Sequence, residues 1–268
     1  MSSLTTRVTN SSELWVPSSS SKLLLQIARR DIATLFRTPW IIISRSLAFI
    51  IQLFVFAYLI SGLVLSYPDY FRYYAVGAVV STVASISFII GYDIFEEAEE
   101  GLLDYLLTLP IPRREFIIGR ALGGAIRAMI YTIPMFAIVA VLENFANPLS
   151  LLGATLDLFL IAFGVTGLSI TVAVTVRSAN RFDVVLALLD LAVTRASTAL
   201  YPLNFLPGYV KILAPFSPVT FAGDSTRAAL TGPSFDALST AGLLAFVVIF
   251  LGLGATFYFR RLEGGVYA

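Results

Sequence analysis

Six stretches of almost uninterrupted apolar residues, separated by short polar segments, set the rhythm of this chain. Four carry no charge: 46–68, 73–92, 158–176 and 237–259. Two more, 121–142 and 184–201, carry isolated charges, Arg127 in the first and Asp190 with Arg195 in the second. A hydrocarbon layer of roughly 30 Å takes about 20 helical residues to cross, so each run is long enough to span. Strands of a membrane barrel would alternate with period two over shorter segments, and these solid runs do not. The pattern predicts an all-α, polytopic membrane protein with six transmembrane helices.

Ahead of the first run, 22–37 shows a helical period. Leu24, Ile27, Ala28, Ile32 and Leu35 share one face, and Lys22, Gln26, Arg29, Arg30 and Arg37 share the other. A basic amphipathic helix directly before a span, broken at Pro39, reads as an interfacial helix on the inner leaflet, in contact with membrane lipids. The plainer alternative is a solvated first turn. Asp31 falls on the apolar face and calls for a cationic partner. The Ser/Thr-rich start at 1–21 reads as a polar tail and not a cleavable signal, because no apolar core comes early enough. The remaining division is a single permease-like unit at 22–261 and a short tail at 262–268.

Composition agrees with the pattern. The chain is 57% apolar and 13% charged, against about 25% charged in soluble domains. It has no cysteine and no histidine, so disulfides are excluded and the commonest transition-metal ligands and neutral-pH proton carriers are missing. Charge placement says more than the net +1. With six spans, fourteen of the 18 basic residues fall on the side of the two ends, and only Arg72, Lys211 and Arg227 fall opposite. Arg195 lies within a span. The positive-inside rule then puts both termini in the cytoplasm of a cell membrane.

Two connecting segments stand out. In the first, Glu96, Glu97, Glu99 and Glu100 crowd the end of the second run, followed by Gly101 and a short apolar helix carrying Leu102, Leu103, Tyr105, Leu106, Leu107 and Leu109. Pro110 and Pro112 stop that helix, and Arg113 and Arg114 return to the basic surface. A short, apolar, acid-flanked helix facing the cytoplasm either folds back on its own bundle or docks a cytosolic partner. In the second segment, Tyr201, Pro202, Pro207, Pro215 and Pro218 forbid one straight helix. Re-entrant half-helices sheltered by protein satisfy the demand that irregular backbone at membrane depth be covered; an ordinary outer loop is the alternative.

These two blocks, Gly101 to Phe116 with Gly119 and Tyr201-Pro202-Leu203 through Pro207, Pro218, Asp224 and Arg227-Ala228-Ala229-Leu230, resemble the membrane permeases of type-2 ABC exporters. Leu102, Asp104 and Ser217 stand where Thr, Glu and Asn are common in that family. The resemblance implies an N-terminal elbow helix, a cytoplasmic coupling helix and an outer re-entrant pair. It assigns ATPase coupling to Glu96, Glu97, Glu100, Gly101, Asp104, Leu107, Pro110, Pro112 and Arg113, and an outer gate to Tyr201, Pro202, Pro207, Pro218 and Arg227. It further implies two permease copies, identical or paralogous, working with two cytosolic ABC ATPase subunits.

The chain holds no Walker A phosphate loop around either of its lysines, Lys22 and Lys211. ATP and Mg would therefore be bound by the partner, with no cofactor, metal or nucleic acid bound by this chain and no catalytic residue in it. Within the spans lie Asp157, Asp190 and Arg195. Asp190 and Arg195 point about 140° apart on one α-helix, whereas Asp157 and Arg195 stand at similar depth and are expected to pair, within the chain or across a dimer seam. Asp183 and Asp190 share a face and offer a path lining. Two rival readings remain. One is a proton-coupled secondary transporter using Asp157, Asp183 or Asp190; the other is a membrane enzyme acting on lipid phosphates through the Glu96 to Glu100 acids.

Overall fold

The computed structural model describes residues 29, 32, 39–63, 69–101, 113–143, 148–176, 178–231 and 236–264, and every element among them is helical. Helix is the form that satisfies backbone amides within one apolar segment. The first helical stretch comprises α1 (Pro39–Ile51), a π-helical insert (Gln52–Ala57) and α2 (Tyr58–Leu63). Next come α3 (Tyr70–Glu99) and α4 (Arg113–Leu142), each of 30 residues, then α5 (Pro148–Thr175). Past them lie α6 (Ala179–Asp190) with a π-helical turn (Leu191–Arg195), the short α7 (Gly208–Leu213), α8 (Pro218–Thr231) and α9 (Ala237–Gly264).

Five helices are long and apolar enough to cross a membrane: 42–62, 70–99, 115–142, 148–175 and 237–257. Their packing is uneven. The most apolar window is 83% buried in α3 and 72% in α5, but only 12% in the first stretch, so α3 and α5 form the core and α1 lies at the rim. From this centre α5 packs on α3, α4, α8 and α9. Trp40, Ile43, Leu47, Phe54 and Tyr58 on the first stretch remain exposed.

Small residues set these close crossings, because lipid supplies no hydrophobic drive between helices and van der Waals fit must replace it. A Cβ at Gly91 of α3 would stand 2.1 Å from Ser169 Oγ of α5. The same serine donates to the Phe88 carbonyl at 2.7 Å. On the other side of α5, Gly164 and Gly167 receive Phe246 and Leu251 of α9.

Two sequence expectations change here. The run 184–201 does not form one α-helix. α6 starts earlier, at Ala179, becomes π-helical at Leu191 and ends at Arg195; its 12 and 5 residues reach about 25 Å at 1.5 Å per residue. Hydroxyls compete for the backbone where it stops: Thr194 Oγ1 donates to the Asp190 carbonyl at 2.6 Å and Ser197 Oγ to the Thr194 carbonyl at 2.6 Å. The run 158–176 begins ten residues sooner, at Pro148, because Asp157 is accommodated inside the helix. The amphipathic segment 22–37, apart from Arg29 and Ile32, lies outside the described residues, and α9 continues through Gly264.

Gly91→Val should push α3 off α5 and cost about 1–3 kcal/mol, read as a lower thermal midpoint of the detergent-purified chain. Gly62→Ala, where nothing lies within 4 Å of the new carbon, should leave that midpoint unchanged.

Candidate functional site

At the end of the bundle where α3 and α4 approach residues 102–112, two ion pairs fasten one helix to the other. Arg120 meets Glu97 at 3.1 Å and Arg127 meets Asp93 at 2.5 Å. The acids are four residues apart on α3 and so share a face. The Arg120 side chain is only 2% exposed, and removing one member of such a pair strands a buried charge. Glu96, Glu99 and Glu100 face outward instead. The chain then leaves α3 through Gly101 at φ +71, a left-handed position that glycine adopts freely. Among the described residues nothing lies within 4 Å of where its Cβ would stand. Of the expected coupling residues, Glu96, Glu100 and Gly101 are surface-exposed, Glu97 is taken up by Arg120, and Arg113 is the first residue of α4. Asp104, Leu107, Pro110 and Pro112 lie outside the described residues.

Deeper in the bundle, the cross-helix pair between Asp157 and Arg195 does not form within the chain. Asp157 accepts a hydrogen bond from Ser225 Oγ of α8 at 2.6 Å, and Ser225 lies 3.1 Å from Thr240 Oγ1 of α9. One hydroxyl, backed by the Thr240 hydroxyl, thus holds the carboxylate where a cation was expected. Asp190 accepts from Ser85 Oγ of α3 at 2.8 Å. Asp190 and Arg195 form no ion pair, as their spacing implied, and Arg195 is exposed. Asp183 lies beside Tyr92 of α3, so Asp183 and Asp190 both face that helix, at Tyr92 and Ser85.

The opposite end is organised by Arg227 of α8. Its guanidinium lies 3.7 Å over the Tyr73 ring, pairs with Asp224 at 3.0 Å, donates to the Tyr73 carbonyl at 3.4 Å and also donates to the Ala199 carbonyl. Around it, Tyr73 donates to the Thr198 carbonyl and Tyr70 to the Leu200 carbonyl at 3.1 Å. Thr220 Oγ1 accepts from the Thr198 amide at 3.0 Å, and Ser217 Oγ donates to the Val193 carbonyl at 2.7 Å. Hence the irregular backbone of 193–200 is satisfied by side chains of α3 and α8. Gly77 permits the approach, since a Cβ there would lie 1.7 Å from the Ala199 oxygen. Pro202 is buried beyond this point, Tyr201 and Pro207 are exposed, and Pro218 starts α8. The short α7 carries exposed Tyr209, Ile212 and Leu213, with exposed Phe216 just beyond it.

Charges near this end respond to their surroundings. Burial pushes the Glu143 carboxyl up, against the pull of Arg72 and Arg227. Asp236 caps α9: its Oδ2 accepts from Ser239 Oγ at 2.6 Å and its Oδ1 from the amides of Leu238 and Ser239. The hydrogen bond from the Ser239 side chain holds this carboxyl below the usual range.

A model of the ABC-2 type transporter family matches residues 22–231. The chain belongs to that family. Its relatives include the protein named transport permease ycf38 of Porphyra purpurea, 27% identical over 216 residues, covering 76% of this chain and 74% of the relative. The corresponding ycf38 of Pyropia yezoensis is 27% identical over 219 residues, 77% of this chain and 70% of that one. A Mycobacterium tuberculosis protein named for doxorubicin resistance, the ABC transporter permease DrrC, is 28% identical over 196 residues, 68% of this chain and 69% of that one. Members of this family are membrane subunits of ABC transporters and rely on a separate ATP-binding subunit.

Of the residues that build the permease's interior, the sequence singled out Arg227 but not Tyr73, Gly77, Ser85, Ser225 or Thr240. The usable signal was weak: three Tyr at the head of α3 and small residues spaced along it.

Arg227→Met should cost about 2–3 kcal/mol, because it leaves the Ala199 carbonyl without its charged donor, whereas the exposed Asp224 loses little. Tyr73→Phe, losing one hydrogen bond, should cost about 1 kcal/mol; thermal unfolding of both variants reads the order. Asp236→Ala should lose about 1 kcal/mol at neutral pH as a lost cap. Because the folded carboxyl is depressed, that loss should shrink as pH falls through its folded value, seen in unfolding midpoints taken at pH 7 and in acid.

Proposed function

We propose that this permease is the transmembrane half of an ATP-driven exporter, in which two copies of the chain, or this chain and a paralogue, work with two cytosolic ATPase subunits. The observation that carries the reading is the ion-paired hairpin of α3 and α4. Asp93–Arg127 and Glu97–Arg120 clamp both sides of 102–112, and the acids next to Gly101 face outward. The ends of α3 and α4, held that way, move as one piece. ATP and Mg would bind in the partner, and closure of the partner would push 102–112 and tilt α3 and α4 against α5.

In this reading the chain crosses the cell membrane six times, with α6 and its π turn as the fifth crossing. Both termini lie in the cytoplasm, in keeping with the basic residues gathered there. The exposed face of α6, with Val184, Leu188 and Leu191, meets the second copy. The turns and helices from Tyr201 to Thr231 form an outer re-entrant cap held shut by Arg227, and cargo of drug, lipid or glycan type leaves beneath it.

The docking surface is tested by retention of the ATP-binding subunit on affinity-purified permease. Reversing Glu96, Glu100 and Asp104 to Lys together should weaken retention about tenfold or more, as expected for lost charge complementarity. Unchanged retention would remove the docking role from this segment. Glu97→Gln should instead lower thermal stability, since that acid braces α4.

A further inference from the structure

A second polar feature lies beside the Arg227 end of the bundle. The first stretch around Gln52, α3 from Ala78 to Ile86 and the segment after α6 line a partly open cavity of about 190 Å³. Its polar lining is Gln52, Ser81, Thr82, Ser85, Thr194 and Arg195. Ser81 and Ser85 sit about 16 to 22 Å along α3 from its first residue, well inside the apolar layer.

Most of those polar groups are already committed. Gln52 Nε2 donates to the Tyr74 hydroxyl at 2.9 Å, Thr82 to the Ala78 carbonyl at 2.7 Å and Ser85 to Asp190 at 2.8 Å. Two are not. Ser81, 8% exposed, has a buried hydroxyl oxygen with no hydrogen-bond partner. Arg195 makes no hydrogen bond or ion pair among the described residues. Asp190, which is within electrostatic reach of Arg195, is held by Ser85 and is not among the residues lining the cavity. An unpaired guanidinium at membrane depth calls for an anion, and its planar fork fits phosphate oxygens two at a time.

We propose that this cavity binds a phosphate-class anion of the cargo, with Arg195 as its charge partner and the Ser81 hydroxyl as a second donor. As an assignment of cargo it rests on the transport function proposed above; as an assignment of a binding site it stands on the cavity alone. The volume suits one phosphate ester group and not a whole lipid. Beside it, the first stretch presents exposed Leu47, Ile51 and Val55, an apolar surface along which a tail attached to that group can lie.

Isothermal titration calorimetry on the full permease, purified with its ATP-binding subunit in uncharged detergent, tests this with three probes. They are dihexanoyl phosphatidic acid, dihexanoyl phosphatidylcholine and inorganic phosphate. Arg195→Gln should weaken the phosphatidic acid analogue about tenfold or more, Ser81→Ala less, and Arg195→Lys should restore part of the loss, the pattern of a charge-assisted hydrogen bond. Tighter binding of the lipid analogue than of inorganic phosphate assigns a lipid-borne group, and equal binding assigns a free anion; both support the site provided that Arg195→Gln abolishes them.

No binding of either anion to the parent, or equal binding by parent and Arg195→Gln, overturns the proposal. Equal, Arg195-dependent binding of the phosphatidylcholine supports the site and assigns a phosphodiester as well as a monoester. Dissociation of a dimer by Arg195→Gln with anion binding intact overturns it as well, because Arg195 would then pair with the second copy. Retention of the ATP-binding subunit, scored on the same samples, reports separately on the transporter reading.

Discussion

Backbone polar groups inside a bilayer have no water to turn to, and the segment from Leu191 to Pro202 is where that constraint bites hardest. Helical hydrogen bonding fails there, so each freed carbonyl must find a side chain. Arg227, Tyr70, Tyr73 and Ser217 supply the donors. One guanidinium ties α3, α8 and the break after α6 to one another. It does so by stacking on Tyr73 while it donates to Ala199. Loss of this centre would free several carbonyls together, which ties this end of the bundle into one unit.

The same scarcity of water governs the charges. Asp157 is held by hydroxyls of α8 through Ser225 and onward to Thr240 of α9. Asp93 and Glu97 are held by arginines of α4. Each arrangement couples two helices that adjoin the core pair α3 and α5, or includes one of them. Close contacts at Gly91 and Gly77 make α3 rigid against α5 at one level and against the 193–200 backbone at another. The Gly101 end and the Arg227 centre are therefore joined by one 30-residue helix, α3.

Much of this architecture was legible in the apolar runs, because crossing length is a direct constraint on composition. Five of the six runs became helices long enough to span. The prolines at 202, 207, 215 and 218 correctly announced irregular backbone. The break at Leu191 was not legible: Thr194 and Ser197 read as ordinary small polar residues until their hydroxyls are seen on backbone carbonyls. Asp157 invited a cationic partner by the usual cost of a membrane charge, yet paired hydroxyls met the need. Glu97 read as a docking acid because its neighbours are acids. Its partner Arg120 becomes apparent only once α3 and α4 are known to be antiparallel, which brings residues 23 and 34 apart in sequence into two successive ion pairs. Arg227 was legible as a residue through the family resemblance, but its role was not, because a carbonyl partner leaves no mark in a sequence.

The central claim is that a nucleotide-driven partner moves this bundle through the segment after Gly101. Reconstituting the purified permease in liposomes, with and without its ATP-binding subunit and with and without ATP, tests it most directly. Movement of a tracked cargo, such as a fluorescent short-chain phospholipid, should require subunit and ATP together. Transport at the same rate by the permease alone, without nucleotide, would contradict the account.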